Sequence, residues 1–153
     1  MRTRTDSSLG QGLQAGRLAA YLSAMSHDPR YLEFFERFNR GEYFAAHEVL
    51  EALWLPARRG PNAAFYQGLI QLAGAFVHLQ KHRPAPAARL LSRARELLKG
   101  YPARHEELDL VRVRTLIATW LARLETGTAD APLLRPETQP TLRLFKPTAP
   151  GAG

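Results

Sequence analysis

The segment 62–82 constrains the fold more than any other part of the chain. Leu69, Ile70, Leu72, Ala73, Ala75, Phe76, Val77 and Leu79 encircle it rather than marking one stripe, so a helix here must be covered on most sides by its own chain or by a partner. Some twenty residues at 1.5 Å each span about 30 Å, the length of a central strut. Hydrophobic periodicity near 3.6 continues on both sides, and no two-residue alternation flanked by hairpin turns occurs in the first 125 residues. The fold class expected is all-α: a compact bundle of five or six helices over 9–125, preceded by a flexible N-terminus (1–8) and followed by an extended Pro-rich tail (126–153).

Punctuation places the helices. A moderate candidate at 9–24 is weakened by Gly10, Gly12 and Gly16. Asp28-Pro29 pairs an N-cap acceptor with proline at the first helical position, and Tyr31, Phe34, Phe35 and Phe38 form the apolar face. Gly41 suits the left-handed position that ends this helix, and Glu42 opens the next. That helix is expected over 42–55, stopped by Pro56, with Asn62 capping the strut that follows. Arg83-Pro84-Ala85-Pro86 breaks the chain, and two further helices are expected over 87–99 and 106–124. Pro132, Pro136, Pro140, Pro147 and Pro150 exclude a helix in the tail, whose apolar cluster is Leu142, Leu144 and Phe145. This cluster can dock on the body or across a two-fold axis on a second copy.

The chain has no cysteine, which excludes disulfides and thiolate chemistry and fits a cytoplasmic location. The start of the sequence has no apolar signal-type region and no apolar run reaches membrane-spanning length. The formal charge of +7 is concentrated: 81–123 carries ten basic and four acidic residues, or +6. Within that stretch Arg89, Arg93, Lys99 and Arg104 recur near helical spacing, a basic face that suits nucleic acid or another polyanion. Its alternative is a solvated helix face, since no aromatic residue falls between Arg83 and Lys99 to stack on bases.

The chemistry-bearing stretch is 38–54, where Phe44, His47, Glu51 and Trp54 recur at helical steps with Glu48 beside them. On the following helix Gln67, Gln71, Gly74 and His78 share a stripe, and the short connection makes the two helices antiparallel neighbours. One expectation is a satisfied polar cluster of His47, Glu51, Trp54, Gln67, Gln71 and His78 that needs no ligand. A second is a small-molecule pocket, or catalysis with Glu48 or Glu51 as base and His47 as its partner. A third reads His47-Glu48-Val49-Leu50-Glu51 as the zinc-protease pattern H-E-x-x-H with its second histidine replaced by glutamate. Then His47, Glu51 and His78 are the candidate ligands of a divalent metal in a hydrolase. With one motif histidine missing, no cofactor is favoured, and a non-enzymatic binding or scaffold module ranks first.

The pattern F-N-x-G-x-Y-F-x-A-H-E-x-x-E-x-x-W at 38–54 and Q-G-L-I-Q-x-A at 67–73 resembles a bacterial and archaeal family of small helical proteins known as domain of unknown function number 309. The resemblance covers roughly 30–100 and implies a compact helical bundle, without an activity, substrate or cofactor. Ala52 departs from it where an acidic residue is common, as does the proline-rich turn at 83–86. The helix pair joined near residue 83, with Ala87, Leu91 and Ala94, is similar to a single tetratricopeptide-type hairpin. No second copy follows at a 34-residue period, which leaves peptide binding in a helical groove as an interaction expectation. A homodimer is expected from the need to cover the apolar strut.

Overall fold

The computed structural model describes residues 27–127 and 134–145, together with Ala15, Gly16 and Leu18. Those three have helical backbone; the rest of the helix expected at 9–24, and the expected flexible N-terminus, lie outside the described residues. Five α-helices follow within 28–144: α1 (Pro29–Asn39), α2 (Tyr43–Ala57), α3 (Ala63–Gln80), α4 (Pro84–Leu98) and α5 (Leu110–Thr126). A two-stranded antiparallel hairpin, β1 (Arg104–His105) and β2 (Leu108–Asp109), lies between α4 and α5. Each helix packs on its neighbour in the chain, α1 on α2, α2 on α3, α3 on α4 and α4 on α5, so the all-α bundle read from periodicity is the fold.

Local chemistry explains most boundaries. The Asp28 carboxylate accepts the Arg30 backbone N–H at 2.9 Å and caps α1. Gly41 takes φ 79°, the left-handed conformation that a Cβ would penalise, and lets the chain turn directly into α2. Between Asn62 and Leu79 no residue of α3 or its cap is exposed, so the strut is enclosed within a single chain. That removes the need for a second copy to cover it. An aromatic chain crosses the core: Phe38 meets Tyr43 at 5.0 Å and Phe76 at 5.7 Å, and Phe76 meets Trp120 edge-on at 5.3 Å.

Several expected boundaries are corrected. Pro56 does not stop α2, which runs on to Ala57. A proline at this position deprives the carbonyl four residues earlier of its donor, and that carbonyl, Ala52 O, is taken instead by Arg30 Nη1 at 3.2 Å. Helix α4 begins at Pro84 rather than residue 87, because both prolines fall in the first turn, where backbone N–H groups have no helical acceptor. Asn62 makes no side-chain cap; its Oδ1 lies 2.7 Å from His105 Nε2 instead. Residues 104–109 are not helical but form the hairpin, turned by Glu106 and Glu107 at φ 49° and 62°. Tyr31 pins that turn by donating to the Glu106 carbonyl at 2.7 Å.

The tail is also more than an extension. Residues 136–138 form a 3-10 turn, Pro140 and Leu142 are buried, and Leu144 forms an antiparallel bridge with Leu108.

Candidate functional site

Helix α2 presents Phe44, His47, Glu51 and Trp54 along one flank of its buried face, which consists of Tyr43, Ala46, Leu50 and Leu53. Phe44 is 58% exposed and its ring stacks on His47 at 6.1 Å. His47 Nε2 faces Glu51 Oε2 at 3.5 Å, the i, i+4 pairing expected on a helix surface. Glu48 is exposed beside them. On α3, Gln67, Gln71, Gly74 and His78 are all half-buried, so the expected stripe exists.

Of the expected mutual satisfaction only the approach of His47 to Glu51 forms. Neither Gln67 nor Gln71 hydrogen-bonds to His47, Glu51 or Trp54, and three buried polar atoms on these stripes have no hydrogen-bond partner: His47 Nδ1, Trp54 Nε1 and His78 Nδ1. The Tyr43 hydroxyl, behind the stripe, is in the same state. Buried polar groups are nearly always paired, so a concentration of orphans on two adjoining helices is unusual. Burial holds the Tyr43 phenol well above its ordinary range. Burial, and then the positive charges of Arg83, Lys81 and Arg89, lower the His78 imidazole below its ordinary value and keep it neutral. A neutral imidazole with a free ring nitrogen offers either a donor or an acceptor, according to tautomer.

The candidate metal ligands do not assemble. Among the described residues no three His, Asp or Glu side chains come together, so His78 does not complete a set with His47 and Glu51. Two donors fall short of the three protein ligands of a catalytic zinc site.

Residues 31–90 match a family model described as Domain of unknown function (DUF309). This is the family that the two motifs resemble, and the match covers α1 from Tyr31 onward, α2, α3 and the first half of α4. The chain is also similar to the "Uncharacterized protein YpuF" of Bacillus subtilis (strain 168), at 28% identity over 109 residues, which is 69% of this chain. It spans 63% of that relative's length.

The motif residues now have physical roles. Gly68 sits where α3 and α4 cross, and a Cβ there would lie 2.7 Å from Leu98 Cγ and Cδ2. Gly41 supplies the left-handed turn, and Asn39 binds the tail backbone. That last role was missed in the sequence, because the partner lies 103 residues away.

The basic segment is less continuous than its spacing promised. Lys99 pairs with Glu96 at 3.2 Å and Arg104 with Glu107, while Arg89 and Arg93 are exposed. Arg114 donates to the carbonyls of Leu98 and Tyr101 at 3.0 and 2.6 Å and so closes the C-terminal end of α4. A cavity of about 660 Å³ lies between α4 and α5, lined by Ala88, Ser92, Arg95, Ala118, Leu121 and Glu125 among others. No helix of the described residues is long and apolar enough to cross a membrane.

Proposed function

We propose that this chain is a non-enzymatic binding or scaffold module of the cytoplasm, and that it engages a protein partner through the face shared by α2 and α3. The observation that carries the reading is Phe44, a large apolar side chain left 58% exposed at the edge of a stripe whose buried atoms His47 Nδ1, Trp54 Nε1 and His78 Nδ1 have no hydrogen-bond partner. A partner that covers Phe44 gains apolar burial, and one whose docking turns the His47, Trp54 or His78 side chain outward also relieves the cost of an unsatisfied group. Tryptophan is among the residues enriched in interaction hot spots, and Trp54 lies on the same stripe as Phe44. A second copy of this chain is included among the partners proposed; it now rests on the exposure of Phe44 and Leu55 rather than on the strut.

The hydrolase reading ranks below it, because the donor set reaches only His47 and Glu51. Elemental analysis of the full chain, purified without chelator or metal-affinity tag, separates the two. The binding reading predicts sub-stoichiometric metal in the wild type and in His47→Ala alike. One equivalent of zinc, manganese or iron per chain, lost in His47→Ala, reverses the ranking.

A further inference from the structure

Residues 140–144 of the tail are held by a device that reads backbone. At the C-terminal end of α1, Asn39 Nδ2 donates to the Leu142 carbonyl at 2.7 Å, and Asn39 Oδ1 accepts the Leu142 N–H at 2.7 Å. One side-chain amide thus bonds both polar groups of a single residue, as the edge of a neighbouring strand would. Two residues further on, Leu144 bridges antiparallel to Leu108, so the free edge of β2 takes up the same extended segment. The Gln139 amide donates to the Asn39 carbonyl at 3.3 Å and packs against Gly41, 3.1 Å from where a Cβ would stand. Pro140 and Leu142 point inward, Leu144 is half-buried, and Thr141 and Arg143 are exposed. The requirements on an occupant are therefore extended backbone and apolar side chains at every second position.

Apart from the Gln139 amide, which precedes the bound segment, nothing in these contacts except the apolar alternation is particular to this tail. Asn39 and Gly41 lie inside the matched segment 31–90, whereas the residues they hold lie outside it. We propose that the groove between the end of α1 and the edge of β2 is an extended-peptide recognition site, filled here in cis by residues 140–144. Its partner in trans is a protein segment of the form Pro-x-Leu-x-Leu. A tethered segment competes at an effective concentration of about millimolar for a short linker, so the tail sets a threshold that a partner must exceed. This site is independent of the α2–α3 face and stands or falls separately from it.

The test uses the full chain and a fluorescein-labelled peptide with the sequence of residues 134–144, followed by anisotropy. Leu142→Asp puts a carboxylate where Leu142 is 4% exposed and should release the tail. The variant should bind the peptide at least ~10-fold more tightly than the wild type, by removal of the tethered competitor. Adding Asn39→Ala should take away at least ~10-fold of that affinity, as loss of a paired backbone contact requires. A peptide in which Leu142 changes places with Thr141 and Leu144 with Arg143 should not bind. Helicity by circular dichroism confirms that each variant is folded, and Leu142→Ala serves in place of Leu142→Asp if the latter is not. Either of two binding results overturns the proposal: folded Leu142 variants that bind no peptide, or binding that Asn39→Ala leaves unchanged. A concentration-dependent wild-type dimer that Leu142→Asp abolishes also overturns it, by making a second copy's tail the occupant.

Discussion

Replacing Gly68 by alanine probes the tightest surroundings of any described glycine. The new Cβ would stand 2.7 Å from both Cγ and Cδ2 of Leu98 and 3.4 Å from Leu97 Cβ, where carbon atoms prefer about 3.5–4.0 Å. Leu98 is fully buried and cannot swing into solvent, so α3 and α4 must separate. Overpacking of this kind costs about 1–3 kcal/mol, and two contacts this short place it near 3. Alanine returns about 1 kcal/mol of helix propensity, which leaves a net loss of about 2 kcal/mol. At about 2–4 °C per kcal/mol for a chain of this size, thermal melts should show Tm lower by about 4–8 °C. Leu98→Ala removes both clashing atoms at a cost of its own of about 2–5 kcal/mol. In that background Gly68→Ala should become neutral or stabilising by up to about 1 kcal/mol. Gly100→Ala is the control, since nothing lies within 4 Å of its added Cβ, and it should be neutral or slightly stabilising. A Gly68→Ala variant that melts at or above the wild type, or that changes Tm equally in both backgrounds, would refute the reasoning.

Asp28→Ala should cost about 1 kcal/mol through loss of the cap. The hydrogen bonds from Arg30, side chain first, hold the Asp28 carboxyl below its ordinary value; its contribution is therefore complete above the ordinary carboxylate range and disappears as pH falls through the lowered value, so the Tm gap between wild type and variant should close in acid. His78 is held below its ordinary value of 6.5, so the unfolded chain takes up the proton first and stability should fall as pH drops from 7.5 to 5.5; His78→Gln should flatten that slope, as parallel melts across the range would record. Pro56→Ala supplies an N–H to the Ala52 carbonyl, so Arg30→Met should lower Tm less in that background than in the wild type, a coupling that a double-mutant cycle measures.

The helical elements were legible wherever their signals were local. Asp28-Pro29 and Gly41 carry the chemistry of a helix start and a helix stop in adjacent residues, and the encircled apolar run at α3 left no other place for it than the core. Proline misled in both directions. Pro56, Pro84 and Pro86 sit in terminal turns, where the ladder either has no bond to lose or a side chain such as that of Arg30 replaces it. The hairpin turn was invisible because Glu106 and Glu107 adopt left-handed backbone without the glycine or asparagine that normally announces it; Tyr31, from the other end of the chain, holds it. The stripe on α2 and α3 was legible as a juxtaposition of helices, but its hydrogen bonding was not. Whether Gln67 reaches His47 depends on the rotation of two helices about their axes, which α1 and α4 help to set. The grip of Asn39 on Leu142 is a contact between distant segments that no local pattern encodes.

The binding reading is tested most directly by selecting ligands from a displayed peptide or small-domain library on the immobilised full chain and measuring each against folded variants. If the α2–α3 face is the interaction surface, affinity should fall at least ~10-fold with Phe44→Ala and with Trp54→Ala, as truncation of a hot spot does, and should be unchanged by Arg95→Ala in the α4–α5 cavity. Ligands that ignore Phe44 and Trp54 and are lost with Arg95→Ala would contradict it.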